Sequence, residues 1–242
     1  IELTPALADA SRTFKPERRA AARQTAFAVP RGGPFDPAAV SFDEGAMLIQ
    51  RGSEEVGRAR LAYDEENLYL AAMLIDDTPM TNRGSGAVEA FKTGDSVNLF
   101  VAEGEFSPAD LAGTRVLMSR VGGRDVSVVY QPRGEGEPYT FVSPVRQVTF
   151  GLVREEPGVT WTMAPRGPTY VVSATIPWRV LGGEPAAGKT LRGDVGLLFA
   201  DSTGGKTTRR VHWVDTHTNV INDTPDESEF FPARWGTFEL QP

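Results

Sequence analysis

Alternation of apolar and polar positions dominates the chain from about residue 41. The segment ARLAY sets Ala59, Leu61 and Tyr63 on one face. DSVNLFV sets Val97, Leu99 and Val101 inward, with Ser96 and Asn98 outward. NLYLAAMLI is apolar on both faces, as a strand covered on both sides is. TRVLMS, DVSVVY, VTFGLV, VTWTM, YVVSATI, VGLLFA, RRVHWV and GTFEL continue the series, separated by Gly, Pro, Asp and Asn. The pattern predicts an all-β protein, an antiparallel β-sandwich of jelly-roll or immunoglobulin-like kind with about ten short strands. Helix is expected only in short pieces such as SPADLAG and PWRVLG. No fixed-period repeat and no low-complexity tract interrupts the series.

Residues 1–40 read differently. ADASRTFKPERRAAARQTAFAV carries a basic Arg/Ala patch suited to a short helix, and PRGGPFDP breaks it. The expected division is an N-terminal extension over 1–40, strapped onto a β-sandwich domain over 41–242. The tryptophans read as core: Trp161 shares a face with Val159 and Met163, and Trp213 shares one with Val211. Trp178 follows Pro177 where a strand turns into a short helix, and Trp235 starts the final strand and packs.

Composition narrows the classes of function. A length of 242 residues fits one large domain or a domain with an extension. Lys+Arg 25 against Asp+Glu 32 gives a net charge of -7, which argues against a phosphate-binding surface for nucleic acid. No apolar run reaches the roughly 18–20 residues of a membrane-spanning helix. With Cys 0, disulfides, thiol catalysis and zinc thiolates are excluded. The chain begins at Ile1 without a hydrophobic targeting core, as a processed or trimmed product would.

Conventional catalytic arrangements are missing. Gly183-Glu184-Pro185-Ala186-Ala187-Gly188-Lys189-Thr190 matches GxxxxGK[ST] literally, and GLLFA ending at Asp201 imitates the partner strand. A phosphate loop needs a helix N-terminus after the threonine, whereas LRGDVG places two glycines there and reads as a turn into a strand. No GxSxG elbow is present. His212 and His217 in VHWVDTH fall on opposite strand faces, a poor start for a shared metal. Asp76 and Asp77 end a buried strand and point apart, unlike a glycosidase pair. Asp76 reads equally as an Asx-turn cap or as an oxygen ligand for calcium.

Several segments together resemble the carbohydrate-binding modules of family 9 and the wider DOMON-like sandwich group. They are RARLAYDEENLYLAAMLIDD, FKTGDSVNLFV, YVVSATIPWRVLG, DVGLLFADS and the closing WGTFEL, spread over roughly residues 41–242. The resemblance implies a non-catalytic module that binds a polysaccharide or oligosaccharide, as part of a secreted, periplasmic or cell-surface protein with neighbouring catalytic or surface domains. It also implies a pair of aromatic rings clamping the sugar, one before the GDSV strand and one before the closing strand. In this chain these fall on Phe91 and Phe230, both Phe where sugar-binding members carry Trp. Polar partners map to Asn98 and Arg115, a third falls on Ala200, and the aspartate holding structural calcium maps to Asp76. The expectation is that Phe91 and Phe230 are exposed and face each other across a groove floored by Arg115, with Phe231 turned inward as the anchor. The competing expectation is that the two rings fold back as lids over the sandwich end.

Two other readings remain open at this point. Related sandwiches carry haem on Met, His or Lys, and Met73, Met80, Met118 and His212 are available here. A structural or docking domain of a larger surface protein would use the same loop end against another chain.

Overall fold

A computed structural model of the protein describes residues 25–142, 147–217 and 230–242. In chain order its strands begin with β1 (Ala26–Val29), β2 (Met47–Arg51), β3 (Glu54–Tyr63), β4 (Asn67–Ile75) and β5 (Ser96–Ala102). They continue with β6 (Thr114–Val121), β7 (Arg124–Gln131), β8 (Tyr139–Val142), β9 (Gln147–Phe150) and β10 (Leu152–Glu155). The last are β11 (Thr160–Arg166), β12 (Thr169–Pro177), β13 (Thr190–Ala200), β14 (Thr207–His212) and β15 (Gly236–Leu240). A short helix, α1 (Trp178–Leu181), follows Pro177 as PWRVLG predicts, and Gly182 closes it in the left-handed region.

The strands form two packed sheets and a separate hairpin. One sheet has eight strands in the order β1-β15-β13-β5-β6-β7-β10, with β14 beside the far half of β13. The other has five, in the order β11-β12-β4-β3-β2. β8 and β9 pair only with each other. All pairs between named strands are antiparallel except β1 with β15. The all-β sandwich expected from the alternation is therefore the fold.

The main core lies between the two sheets. Ala59, Leu61 and Tyr63 of β3 meet Val97, Leu99 and Val101 of β5 there, together with Trp178 and Trp213. Trp161 and Met163 pack against its edge. These are the inward positions that period-two alternation selects.

Two further layers cover the outer faces. Phe42, with Phe35 and Val40, lies on Ala71, Met73 and Val171 of the five-stranded sheet, which explains why β4 is apolar on both sides. Ser173 donates to the Phe35 carbonyl at 2.6 Å and Arg166 to the Val40 carbonyl at 2.7 Å, fixing this strap. On the outer face of the eight-stranded sheet lies an aromatic layer built from Phe91, Phe100, Tyr130, Phe141, Phe150, Phe230 and Trp235.

Local expectations are corrected in three places. SPADLAG forms turns rather than helix. VTFGLV is two strands, β9 and β10, parted by Gly151, whose backbone packs on that of Gly134 so closely that a Cβ there would lie 2.2 Å from the Gly134 carbonyl oxygen. AFAV is strand β1 rather than the end of a helix, and Phe27 and Val29 enter the main core. The described part of the segment before residue 41 thus supplies an edge strand and a packed strap, while residues 1–24 lie outside the described part.

Candidate functional site

The outer face of the eight-stranded sheet carries an unusual set of side chains. Asn98 on β5 and Arg115 on β6 point away from the main core, as alternation dictates, yet they are 0% and 1% exposed. Arg115 Nε donates to Asn98 Oδ1 at 2.9 Å, and Asn98 Nδ2 donates to Ser96 Oγ at 3.0 Å. The Arg115 guanidinium lies 5.3 Å from the ring centroids of Phe91, Phe100 and Tyr130 alike. A desolvated guanidinium over aromatic faces is stabilised by about 2 kcal/mol per good contact. The structure thus brings together Phe91, Asn98 and Arg115, with Phe230 in the same layer.

Exposure of the two rings is overturned. Phe91 is 4% exposed and Phe230 is 1% exposed. Phe91 lies in a 3-10 turn over Ala87–Lys92 and packs edge-on against Tyr130 and Phe141. Phe230 packs edge-on against Phe100 at 5.5 Å and Phe150 at 5.0 Å. The roles assigned to Phe230 and Phe231 are also exchanged. Phe230 is the inward ring, and Phe231 is half-buried beneath the Arg234 guanidinium at 4.2 Å. Burying a phenylalanine stabilises by roughly 1.5–3 kcal/mol, and the aromatic layer gives Phe230 the apolar surroundings that a loop lacks.

The groove expected between the two rings is filled. Phe141 from β8 lies 5.0 Å from Phe91, Phe150 from β9 lies 5.7 Å from Phe141, and Phe230 lies 5.0 Å beyond Phe150. All three contacts are edge-to-face, the geometry that the ring quadrupole favours. Four phenylalanines therefore form a row in the aromatic layer, with Arg115 against its Phe91 end, and its two middle members belong to the hairpin.

The turn bearing Phe91 is held by Asn82. Its Nδ2 donates to the Ala90 carbonyl at 2.7 Å, to the Thr93 carbonyl and to Ser119 Oγ, while its Oδ1 accepts from Gly84 N and Thr93 Oγ1. Gly94, at φ +73°, passes so close that a Cβ would lie 2.3 Å from the Asn82 side chain.

Asp76 stands at the end of β4 near a second carboxylate. Asp95 accepts from Thr81 N at 2.8 Å and Ala200 N at 2.6 Å, which ties β5 to β13. Burial pushes the Asp95 carboxyl up to about 7 against those two bonds, and the charges of Asp76 and Asp201 add to the rise. Burial likewise raises Asp76. Asp76 Oδ2 and the Tyr170 hydroxyl are buried without a hydrogen-bond partner. Orphaned buried oxygens beside crowded carboxylates fit a hard cation. Among the described residues no group of three or more His, Asp or Glu side chains converges on one point, so backbone oxygens and water would complete the shell.

The other candidates separate. Met73 belongs to the layer under the strap, whereas Met80 and Met118 lie in the main core and His212 packs on Phe100. The phosphate-loop look-alike lacks its helix, since Thr190 begins strand β13. Lys189 instead pairs with Glu103 at 2.7 Å and donates to the Glu184 carbonyl. An open cleft of about 1080 Å³ beside this loop is lined by Glu65, Glu103, Arg179 and Lys189, and Glu65 is paired with Arg31.

Sequence reasoning missed Asn82, Asp95, Phe141, Phe150 and Tyr170. Asp95 and Asn82 each stand beside loop glycines, at Gly94 and in TNRGSG, which marks a turn but not a hub.

The family model described as carbohydrate family 9 binding domain-like matches residues 42–241. The protein is a β-sandwich of the carbohydrate-binding-module type, and the chain belongs to the family 9 binding domain-like family. Among solved structures it is similar to a family 9 carbohydrate-binding module from Caldicellulosiruptor kristjanssonii in complex with cellotriose. That match has 15% identity and a TM-score of 0.53, covering 89% of this chain and 93% of the other. The glucose complex of a family 9 module from the same organism matches at 15% identity and TM-score 0.51, covering 89% and 95%. No curated protein matches the chain in sequence.

Proposed function

We propose that the protein is a non-catalytic saccharide-binding module, acting outside the cytoplasm as part of a secreted or surface protein. The observation that carries this reading is the Arg115–Asn98 pair. It is a desolvated donor–acceptor set on the sheet face, roofed by rings, in a chain whose family match covers residues 42–241. Hydroxyl-rich ligands are held by such fixed polar groups, while aromatic faces cover their C–H surfaces. Asp76, with Asp95 beside it, is proposed to hold calcium as a structural ion that steadies the β4 and β5 ends.

A calorimetric titration with cellotriose, followed by a glycan array with and without calcium, tests the reading. Retention of a glucan or another glycan without its hydrolysis supports it. Absence of any glycan binding, in calcium and in chelator alike, removes it.

A second reading has its own support. The filled groove suits a structural or docking domain in which the aromatic layer is a second core. Such a domain binds no glycan under either condition and melts without regard to added saccharide.

A further inference from the structure

We infer that the β8–β9 hairpin is a displaceable plug, so that the protein holds its own saccharide groove closed with Phe141 and Phe150 and opens it by swinging the hairpin away. The inference rests on the saccharide reading above and specifies how that same site is regulated.

Three observations converge on it. First, the two hairpin rings stand between the rings of the expected clamp, and the row Phe91, Phe141, Phe150, Phe230 is unbroken. A phenyl ring and a pyranose are similar in breadth, so the hairpin rings take the space that a sugar ring clamped between Phe91 and Phe230 would need.

Second, the hairpin is joined to neither large sheet by a strand ladder. Its four residue pairs, Tyr139 with Phe150 through Val142 with Gln147, link only its own strands. An isolated two-stranded hairpin is marginal in water, and such units open below the threshold of global unfolding. Among the described residues its ties to the rest are side-chain contacts: Tyr139 with Glu89 at 3.5 Å, Lys92 over the Phe141 ring at 5.7 Å, Phe141 and Phe150 with the Tyr130 ring of β7, and the ring row itself. Its outer surface is exposed at Val142.

Third, both ends of the hairpin meet at one place. Gly134 and Gly151 lie backbone to backbone, and Gly151 N donates to the Pro132 carbonyl. Gly136 lies between Gly134 and the first strand, and its Cα hydrogen faces Leu152. Two glycine-flanked legs anchored side by side let the hairpin swing as a unit, leaving β7 and β10 paired.

Closure lowers apparent affinity by the fraction of molecules that are open, so an open population of about one in ten weakens binding about tenfold. The experiment uses cellotriose as probe and three proteins: the intact chain, a variant with residues 137–150 replaced by a short Gly-Ser link, and Phe141→Ala/Phe150→Ala. The full-length double variant keeps the test alive where the replacement fails to fold. Cellotriose should bind at least tenfold more tightly to either variant than to the intact chain. In the intact chain without sugar, amides of β8 and β9 should exchange with deuterium much faster than those of β5 and β6. Equal cellotriose affinity in all three proteins overturns the plug while leaving the saccharide reading in place. Hairpin amides that exchange only as slowly as β5 and β6 also overturn it. Failure of all three proteins to bind cellotriose removes the saccharide reading at this groove, and the plug with it.

Discussion

Arg115 Nε and Asn98 Oδ1 lie 2.9 Å apart on neighbouring strands, and neither side chain reaches solvent. Their bond crosses from β6 to β5 two residues out of register, because Asn98 stands opposite Leu117 and Arg115 opposite Phe100. Removing the amide leaves a buried guanidinium proton without its acceptor, a loss of roughly 1.5–3 kcal/mol for a bond to a charged group. Asn98→Ala should lower stability by about that amount in urea unfolding with an unchanged m-value. A shift below about 0.5 kcal/mol would show that the pair holds nothing together.

Phe91 and Phe230 now carry a stability prediction of definite sign. Each is buried in the aromatic layer, so Phe91→Ala and Phe230→Ala should each cost roughly 3–5 kcal/mol. In a domain of this size that corresponds to a fall in Tm of about 10 °C or more. Variants melting within about 2 °C of wild type would mean that the rings are solvent platforms after all.

The calcium proposed at Asp76 makes a thermal prediction. An ion bound only by the folded state, at a hundredfold excess over Kd, stabilises by about 2.7 kcal/mol. Wild type should therefore melt about 5–10 °C higher in calcium than in chelator, and Asp76→Ala should lose most of that difference. The gain should grow between pH 5.5 and 8, because the neighbouring Asp95 carboxyl, raised to about 7, must release its proton to favour a cation. Superimposable melts in calcium and chelator would eliminate the metal.

Asp194 sets a pH trend in the absence of any ligand. It is fully buried, accepts from Val195 N, Val214 N and Asp215 N, and is pushed up to about 7, chiefly by burial and with the Asp215 charge adding. An unfolded aspartate titrates near 3.9, so between those values the folded state binds more protons than the unfolded one. The stability this group contributes is complete below about pH 4 and is lost as pH rises towards 7. Asp95 adds a parallel decline, and Asp76, also raised by burial, adds to it. Asp64, Asp110, Glu155 and Asp201 are lowered instead, so they are ionised in both states from about pH 5 upward. Tm should fall from pH 5 to 7, and Asp194→Asn should remove about half of the slope. An unaltered slope in that variant would assign the trend elsewhere.

Period-two alternation was enough to read the sandwich and its main core, because a strand in contact with one core repeats every second residue. It placed Val97, Leu99 and Val101 inward and Asn98 outward, as found. What it does not carry is whether the outward face is itself covered. Asn98 is buried on a face whose aromatic layer draws rings from the 3-10 turn and from strands of four residues each, too short for a period to show. The exchange of Phe230 with Phe231 has the same origin, since a loop has no repeat to tell adjacent aromatics apart. AFAV was hidden differently: four residues after an Arg/Ala run give a strand no context until a partner, here β15, is known.

β1 and β15 run parallel, so the N-terminal end of one strand lies beside the N-terminal end of the other. A pull that enters through β1 and leaves through β15 acts from opposite ends of the pair. The force therefore runs along both strands and strains their hydrogen bonds together, in shear. An antiparallel pair gripped at adjacent ends would instead peel open one bond at a time. Bonds from Thr237 N to the Thr25 carbonyl and from Gln241 N to the Val29 carbonyl bracket the four-residue register and share that strain. Tension applied across the two ends of this pair is thus borne by all its bonds at once, the more resistant of the two geometries.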